Sequence, residues 1–267
     1  MNIALAQMDI ALGESETNLR TASALVAEAA AEGAALVVLP ELWGSGYDLE
    51  HANFLADEVN TGLWGAVSAL ARHHRVAICG SLLEWDVGEE RPYNTAFVYD
   101  NDGRLRGTYR KIHRFGPMRE DQFLGAGDTP KIVDAPWGKT ALAICYDLRF
   151  PELFRRYALD GAPLVIIPAE WPVQRMAHWR TLVQARAIEN QCWVVACNRV
   201  GRDADNAFGG GSLIVDPWGT VVAEAGNAAT MMSAEIDLAL VDEVRSRLPV
   251  LADRRPEVYG LDARNDG

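Results

Sequence analysis

Two widely separated stretches of this chain nearly repeat one another. Residues 33–43 read Gly33-Ala-Ala-Leu-Val-Val-Leu-Pro-Glu-Leu-Trp43, and residues 161–171 read Gly161-Ala-Pro-Leu-Val-Ile-Ile-Pro-Ala-Glu-Trp171. Each centres on a short unbroken apolar run, the pattern of a strand buried on both faces. Each also follows a segment with helical spacing, Glu16 to Glu32 in the first case and Pro151 to Asp160 in the second. The echo extends outward. Asn2 to Gln7 and Thr140 to Ile144 share Ala-Leu-Ala; helices are expected at about 63–73 and 178–190, and apolar strands at 75–82 and 193–198. Both copies close on a hairpin, Phe97-Val-Tyr-Asp-Asn-Asp-Gly-Arg-Leu105 and Leu213-Ile-Val-Asp-Pro-Trp-Gly-Thr-Val221, with Asp-Gly and Pro-Trp-Gly as turn signals.

Two β-α-β-α-β-hairpin units of this kind predict two mixed sheets packed face to face with helices outside. The expected fold class is α/β, a four-layer α-β-β-α sandwich with an internal pseudo-twofold repeat. No linker rich in Gly, Pro or Ser divides the chain, so residues 1–267 are expected to form a single domain. Val244 to Tyr259 reads as a helix stopped by Pro249 and then an extended tail. That tail, from about 249, is a candidate contact element at a subunit interface.

Composition narrows the partners. With 49% hydrophobic residues the chain can bury a substantial core, and its formal net charge of −12 argues against nucleic acid or an anionic membrane surface. No apolar stretch approaches the about 20 residues needed to span a bilayer. The first residues lack the basic region and long apolar core of a signal peptide, so the expected compartment is the cytosol. Cysteines at 79, 145, 192 and 197 show neither metal-ligand spacing nor a disulfide framework. Cys79, Cys192 and Cys197 lie inside apolar runs and read as small core residues.

Cys145 differs from the other three. It ends the run Lys139-Thr-Ala-Leu-Ala-Ile-Cys145 and is followed at once by Tyr-Asp-Leu-Arg-Phe-Pro-Glu152. Pro151 and Glu152 belong to a helix start, so the layout is strand, sharp turn, helix, with the thiol at the turn. An exposed thiol at a sheet edge, near the positive end of a helix, is expected to favour the thiolate, and the Tyr146 N–H is placed to donate to an oxyanion. Glu41 also sits at a strand end, before Leu-Trp-Gly-Ser-Gly-Tyr47. A carboxylate in an apolar, aromatic setting suits a proton shuttle. Ala169 holds its place in the second copy, so the scaffold itself does not require a carboxylate there. Lys111 lies in Tyr109-Arg-Lys-Ile-His-Arg-Phe115. Such a run is commonly a solvated edge, but an inward ammonium would stabilise a thiolate and an oxyanion. Arg110, His113 and Arg114 read as structural or surface groups. Glu120 is placed to hold Lys111 and orient a substrate. His73, His74 and His178 read as non-catalytic, and Arg186 and Glu189 as a buried polar pair on a packing helix.

Pro40-Glu41-Leu, Tyr109-Arg-Lys111-Ile-His and Ile144-Cys145-Tyr-Asp-Leu-Arg-Phe-Pro-Glu resemble the three signature segments of the nitrilase, or carbon–nitrogen hydrolase, superfamily. The resemblance covers nearly the whole chain and implies the same α-β-β-α sandwich. It implies Glu41 as general base, Lys111 as transition-state stabiliser and Cys145 as nucleophile. Glu120 matches the family's second glutamate, although Ala126 stands where that segment usually carries Pro. Cys145-Tyr-Asp-Leu-Arg-Phe-Pro-Glu-Leu, Trp171-Pro, Ala185-Arg-Ala-Ile-Glu-Asn-Gln and Asp216-Pro-Trp-Gly look most like the ω-amidase and deaminated-glutathione amidase branches.

The resemblance therefore implies an amidase that releases ammonia from a small linear ω-amide through a Cys thioester. A nitrilase or N-carbamoyl amino-acid hydrolase on the same scaffold is the alternative, and a non-catalytic metabolite-binding member a further one. Tyr146, Tyr47, Met118, Arg149, Trp171 and Arg175 are the candidate substrate-binding residues. Glu170, beside Trp171 in the expected pocket wall, would disfavour anionic substrates. No metal or organic cofactor is implied, and a homodimer or larger homo-oligomer is expected.

Overall fold

The computed structural model describes residues 1–259, so the last part of the expected tail, residues 260–267, lies outside the described residues. The first copy of the echo folds as β1 (Asn2–Gln7), α1 (Ser15–Ala31), β2 (Leu36–Val38), α2 (Ala52–Leu55), α3 (Gly62–His74), β3 (Ala77–Glu84), β4 (Tyr93–Tyr99), β5 (Leu105–Arg110) and α4 (Glu120–Phe123). The second folds as β6 (Lys131–Ala135), β7 (Gly138–Leu142), α5 (Pro151–Leu159), β8 (Leu164–Ala169), α6 (Met176–Asn190), β9 (Trp193–Asn198), β10 (Val200–Arg202), β11 (Ala207–Gly209), β12 (Leu213–Val215) and β13 (Val221–Glu224). Then come β14 (Thr230–Glu235), α7 (Leu240–Arg247) and α8 (Pro256–Tyr259).

Among the described residues these strands form two six-stranded sheets, ordered β14-β1-β2-β3-β4-β5 and β6-β7-β8-β9-β12-β13, with β10 and β11 as a separate ribbon. The pairing pattern is the same in both. The outer strand is antiparallel, the next three are mutually parallel, and a hairpin completes the sheet. Even the register repeats: Leu36 pairs with Ile3 and Ala77, and its counterpart Leu164 with Thr140 and Trp193. Asp100 and Asp216 cap the hairpin turns alike, each accepting main-chain N–H groups two and four residues on at 2.8–3.0 Å. Such side-chain caps fix a turn locally.

Alternation along the strands separates the layers. Ile3, Leu5, Leu36 and Val38 face a core shared with Leu164, Ile166, Val195 and Ile214 of the other sheet. Ala4, Ala6, Val37 and Ile78 face outward, against Val26 of α1 and Trp64 and Val67 of α3. On the far side Trp179, Val183 and Ala187 of α6 and Phe154 of α5 cover the second sheet. The fold is the four-layer α-β-β-α sandwich with an internal repeat.

Two local expectations differ from the structure. The C-terminal helix begins earlier and stops at Arg247, and residues 256–259 form a short helix instead of an extended tail. Pro256 accounts for the latter, since its fixed φ suits the first position of a helix. The edge strands β6 and β14 also complete each sheet beyond the strands read from the echo. No helix among the described residues is long and apolar enough to cross a membrane.

Candidate active site

β2 ends at Val38, and the chain carries Leu39-Pro40-Glu41 to the carboxyl end of the sheet before turning sharply at Leu42, whose φ is +40°. β5 delivers Lys111 one residue beyond its end, and Arg119, with φ +64°, turns the chain so that Glu120 opens α4 facing it. From the second sheet, the strand run through Ile144 ends at Cys145, itself at φ +43° in the first position of a short 3-10 turn over Cys145–Arg149. Left-handed backbone at a non-glycine residue is costly, and it concentrates here beside the polar residues that the fold brings together.

All four are buried: Glu41 and Glu120 are 0% exposed, Lys111 1% and Cys145 4%. Lys111 Nζ donates to Glu41 Oε1 at 2.8 Å and to both Glu120 oxygens at 2.8 Å. The Tyr47 hydroxyl lies 2.9 Å from Glu41 Oε1 and 3.1 Å from Glu120 Oε1. Asn94 Nδ2 donates to Glu41 Oε1 at 2.7 Å, and its own carbonyl accepts Ser81 Oγ–H at 2.9 Å. Glu120 Oε2 accepts the Phe115 N–H. Glu41 Oε2 accepts the N–H of Glu170 at 2.8 Å. Glu41 is thus set in a buried polar network, not in the apolar surroundings expected.

The electrostatics follow from this packing. Burial alone would lower the Lys111 pKa, but Glu120 and Glu41 outweigh it and hold the ammonium protonated. Burial, followed by the charges of Glu120 and Glu41, pushes Tyr47 well above its ordinary value. Cys145 corrects the expectation of an exposed thiolate. Burial is the largest effect on it, Glu41's charge and hydrogen bond add to it, and Lys111 only partly offsets them, so the thiol sits well above its ordinary value. Burial and the Glu41 carboxylate thus favour the thiol over the thiolate at Cys145.

The turn that carries Cys145 is held by Asp147, which is 0% exposed. Its Oδ2 accepts the Ile144 N–H at 2.8 Å and the Tyr109 O–H at 2.8 Å, and its Oδ1 accepts the His113 N–H at 3.1 Å. One buried carboxylate therefore ties the turn that carries Cys145 to the strand end that presents Lys111. No protein acceptor takes the Tyr146 N–H among the described residues.

Beside Cys145 lies a narrow pocket walled by Phe115, Tyr146, Arg149, Trp171, Pro172 and Arg175. Four of the six candidate substrate-binding residues are on this wall. Tyr47 and Met118 instead line a neighbouring cleft with Glu50, Arg119 and Asp205, although the Tyr47 hydroxyl reaches back into the polar cluster. Glu170 is not on the wall. It is fully buried behind it, where Arg199 Nη1 donates to its Oε2 at 2.9 Å. Burial pushes its carboxyl up to about 8, more than Arg199, itself shared with Asp9, pulls it down. Arg110 pairs with Glu84 and Asp86, and Arg186 with Glu189. Sequence reasoning passed over Asn94, Phe115 and Asp147. Asn94 and Asp147 left a faint signal, each being a polar residue inside an otherwise apolar run.

Residues 2–246 match the family model described as carbon-nitrogen hydrolase. The 2-oxoglutaramate amidase of Bacillus subtilis (strain 168) is 40% identical over 257 residues, covering 96% of this chain and 98% of that protein. The deaminated glutathione amidase of Mus musculus is 37% identical over 270 residues, covering 92% of this chain and 80% of that protein. Among solved structures, Saccharomyces cerevisiae Nit3, a member of branch 10 of the nitrilase superfamily, superposes with a TM-score of 0.88 at 30% identity, covering 96% of each chain.

Proposed function

The chain belongs to the carbon–nitrogen hydrolase family and is an amidase within it, and we propose that it hydrolyses a small linear ω-amide to a carboxylic acid and ammonia through a thioester on Cys145. The observation that carries this reading is the placement of Lys111 Nζ at 2.8 Å from both Glu41 and Glu120, with the Cys145 thiol within the field of the same Glu41. Glu41 is the proton carrier. It takes the thiol proton as Cys145 Sγ bonds to the amide carbon, and the carbonyl electron pair moves to oxygen. The oxyanion is held by Lys111 Nζ and the Tyr146 N–H. Glu41 then returns the proton to nitrogen as the C–N bond breaks, and ammonia leaves. Water, deprotonated by Glu41, attacks the thioester; the C–S bond breaks and the thiol regains its proton. Glu120 orients Lys111 throughout, and Tyr47 and Asn94 hold Glu41 in place.

The amidase relatives support an ω-amide, and the small cavity supports a short acyl group. Ammonia release is measured with ω-amides including 2-oxoglutaramate and deaminated glutathione, with simple aliphatic amides, nitriles and N-carbamoyl amino acids. The expected result is fastest release from an ω-amide, reduced to background by Cys145→Ala. Release that persists in that variant, or a nitrile as best substrate, would sink the reading. The protein is further proposed to act as a homodimer or larger assembly. Leu159 at the end of α5, the helix after Phe150, and Leu248 beside the C-terminal segment are exposed apolar side chains on the elements proposed for subunit contact. Light scattering at micromolar concentration is expected to give at least twice the 29.2 kDa chain mass, and a monomer there contradicts it.

A further inference from the structure

The two oxygens of Glu41 are held unequally. Oε1 meets three donors, Lys111 Nζ at 2.8 Å, Asn94 Nδ2 at 2.7 Å and the Tyr47 hydroxyl at 2.9 Å. A carboxylate oxygen carries two lone pairs, so Oε1 is fully engaged. Oε2 accepts the Glu170 N–H at 2.8 Å and keeps a lone pair for a further proton. Oε2 is therefore the oxygen suited to proton transfer, and the peptide that carries Glu170 aims it. That peptide is itself clamped. The Trp171 N–H donates to Asn198 Oδ1 at 2.6 Å, and the Ala169 carbonyl accepts the Arg199 N–H at 3.2 Å.

The Glu170 side chain is less well provided for. Its Oε2 accepts Arg199 Nη1 at 2.9 Å, but its Oε1 is buried with no hydrogen-bond partner among the described residues. Arg199 does not depend on it for a counter-charge. Its Nη2 donates to Asp9 Oδ1 at 3.1 Å and to the Ile10 carbonyl at 2.7 Å, its Nε to the Val200 carbonyl at 3.1 Å, and the guanidinium lies over the Phe208 ring at 4.2 Å. Nor does the scaffold ask for a carboxyl there, because buried Leu42 stands at the corresponding place in the first copy of the repeat. A wholly buried carboxyl with one oxygen unpaired is unfavourable to fold around, which points to a task in the reaction. Its neighbours show which. The charge of Glu41 acts on Glu170, and the charge of Glu170 acts on Tyr47, which holds Glu41. The charges printed strongest on Cys145 are those of Glu41, Lys111 and Glu120 instead.

We propose that Glu170 is a positioning residue for the hydrolysis, acting through Glu41: its N–H aims Oε2 at the proton to be moved, and its ionised side chain favours that proton's arrival. This rests on the amidase reading and adds a residue to it. As the thiol proton passes to Glu41 Oε2, the S–H electron pair stays on sulfur, and negative charge leaves Glu41 for the reacting centre. A second negative charge behind Glu41 makes that displacement more favourable. Burial pushes the Glu170 carboxyl up to about 8; Arg199 only partly offsets it, and Glu41 and Asp203 add to the rise. The side chain is thus neutral near pH 6 and charged near pH 9.

The test is the pH dependence of kcat/KM for the best amide from pH 6 to pH 9, in the wild type and in Glu170→Gln, which keeps an acceptor for Arg199 and cannot ionise. Alkylation of Cys145 by iodoacetamide, followed by peptide mass, is measured on the same preparations, since it reads thiol deprotonation without an amide substrate being turned over. Wild-type kcat/KM is expected to step upward roughly 3- to 10-fold around pH 8. The step is expected in kcat with KM unchanged, because Glu170 does not line the pocket. Alkylation of the wild type is expected to show the same step relative to Glu170→Gln, whose kcat/KM shows none. Each pH 9 to pH 6 ratio is internal to one preparation, so partial loss of folded protein does not imitate the effect. A residue with a merely structural role would lower the whole profile and leave its shape. Profiles of the two proteins that run parallel to within about twofold, or a difference confined to KM, overturn the proposal. A wild-type profile flat through pH 8 overturns it alone, whether or not the variant folds. Failure of the amidase reading looks different: no amide releases ammonia, while alkylation still decides the role of Glu170.

Discussion

At Cys145 two influences compete. The turn into a helix favours a thiolate, as the sequence predicts, but the residue is only 4% exposed and sits against the charge of Glu41. Desolvation and a neighbouring carboxylate outweigh the backbone dipole, so the proposed reactivity rests on a positioned base and not on an acidic thiol. Glu170 shows the same competition with a measurable consequence for stability. Burial holds its folded-state carboxyl at about 8, above the ordinary carboxylate value of about 4.3 that it has when unfolded. Between those values the native chain keeps a proton that the unfolded chain has released. The associated stabilisation is therefore complete below the ordinary carboxylate range and is lost as pH rises toward 8, at up to about 1.4 kcal/mol per pH unit. Glu170→Gln cannot titrate. Thermal unfolding from pH 5 to pH 8 should show the variant gaining on the wild type as pH rises, and a constant difference between the two would contradict the assignment.

At the level of elements, the echo explains how the site is built. Glu41 follows β2, and Ala169 takes its place at the end of β8; the next residue, Glu170, then donates its N–H to Glu41 at 2.8 Å. The pseudo-twofold thus brings the ends of the two repeated strands together, one supplying the carboxylate and the other a donor that fixes it. Backbone detail repeats as well: α3 and α6 both end on a left-handed cap, Arg75 at φ +53° and Gln191 at φ +49°. The central strands were legible because strands covered on both faces read as apolar runs. β6 and β14 were not, since their residues are partly exposed and the partner of β14 is β1, at the other end of the chain. Glu41 and Cys145 stood out as polar groups at the ends of apolar runs, whereas Lys111 lay in a basic run and stood out through the motif it shares with the family. Asn94 and Asp147 did not, because what distinguishes them is the cross-strand neighbour each one meets. Which way Glu170 turns was equally hidden, since it depends on Arg199 arriving from β9.

Taken whole, the molecule sets a cationic cavity inside a chain of net charge −12, so overall charge says little about what this pocket accepts. Neither half of the sandwich holds the complete site. Glu41, Lys111 and Glu120 come from the first copy of the repeat, and Cys145, Trp171 and Arg175 from the second. The core shared between the two sheets is what holds these sets in register. The proposed mechanism places the acyl group on Cys145 for part of every turnover. The most direct test is intact-mass spectrometry of the protein, acid-quenched within milliseconds of mixing with its best ω-amide. A population heavier by the amide less ammonia, mapped to the peptide containing Cys145 and absent from Cys145→Ala, is the predicted result. Turnover at full rate with no acyl adduct on Cys145 at any quench time, or turnover by Cys145→Ala, would contradict a thioester mechanism.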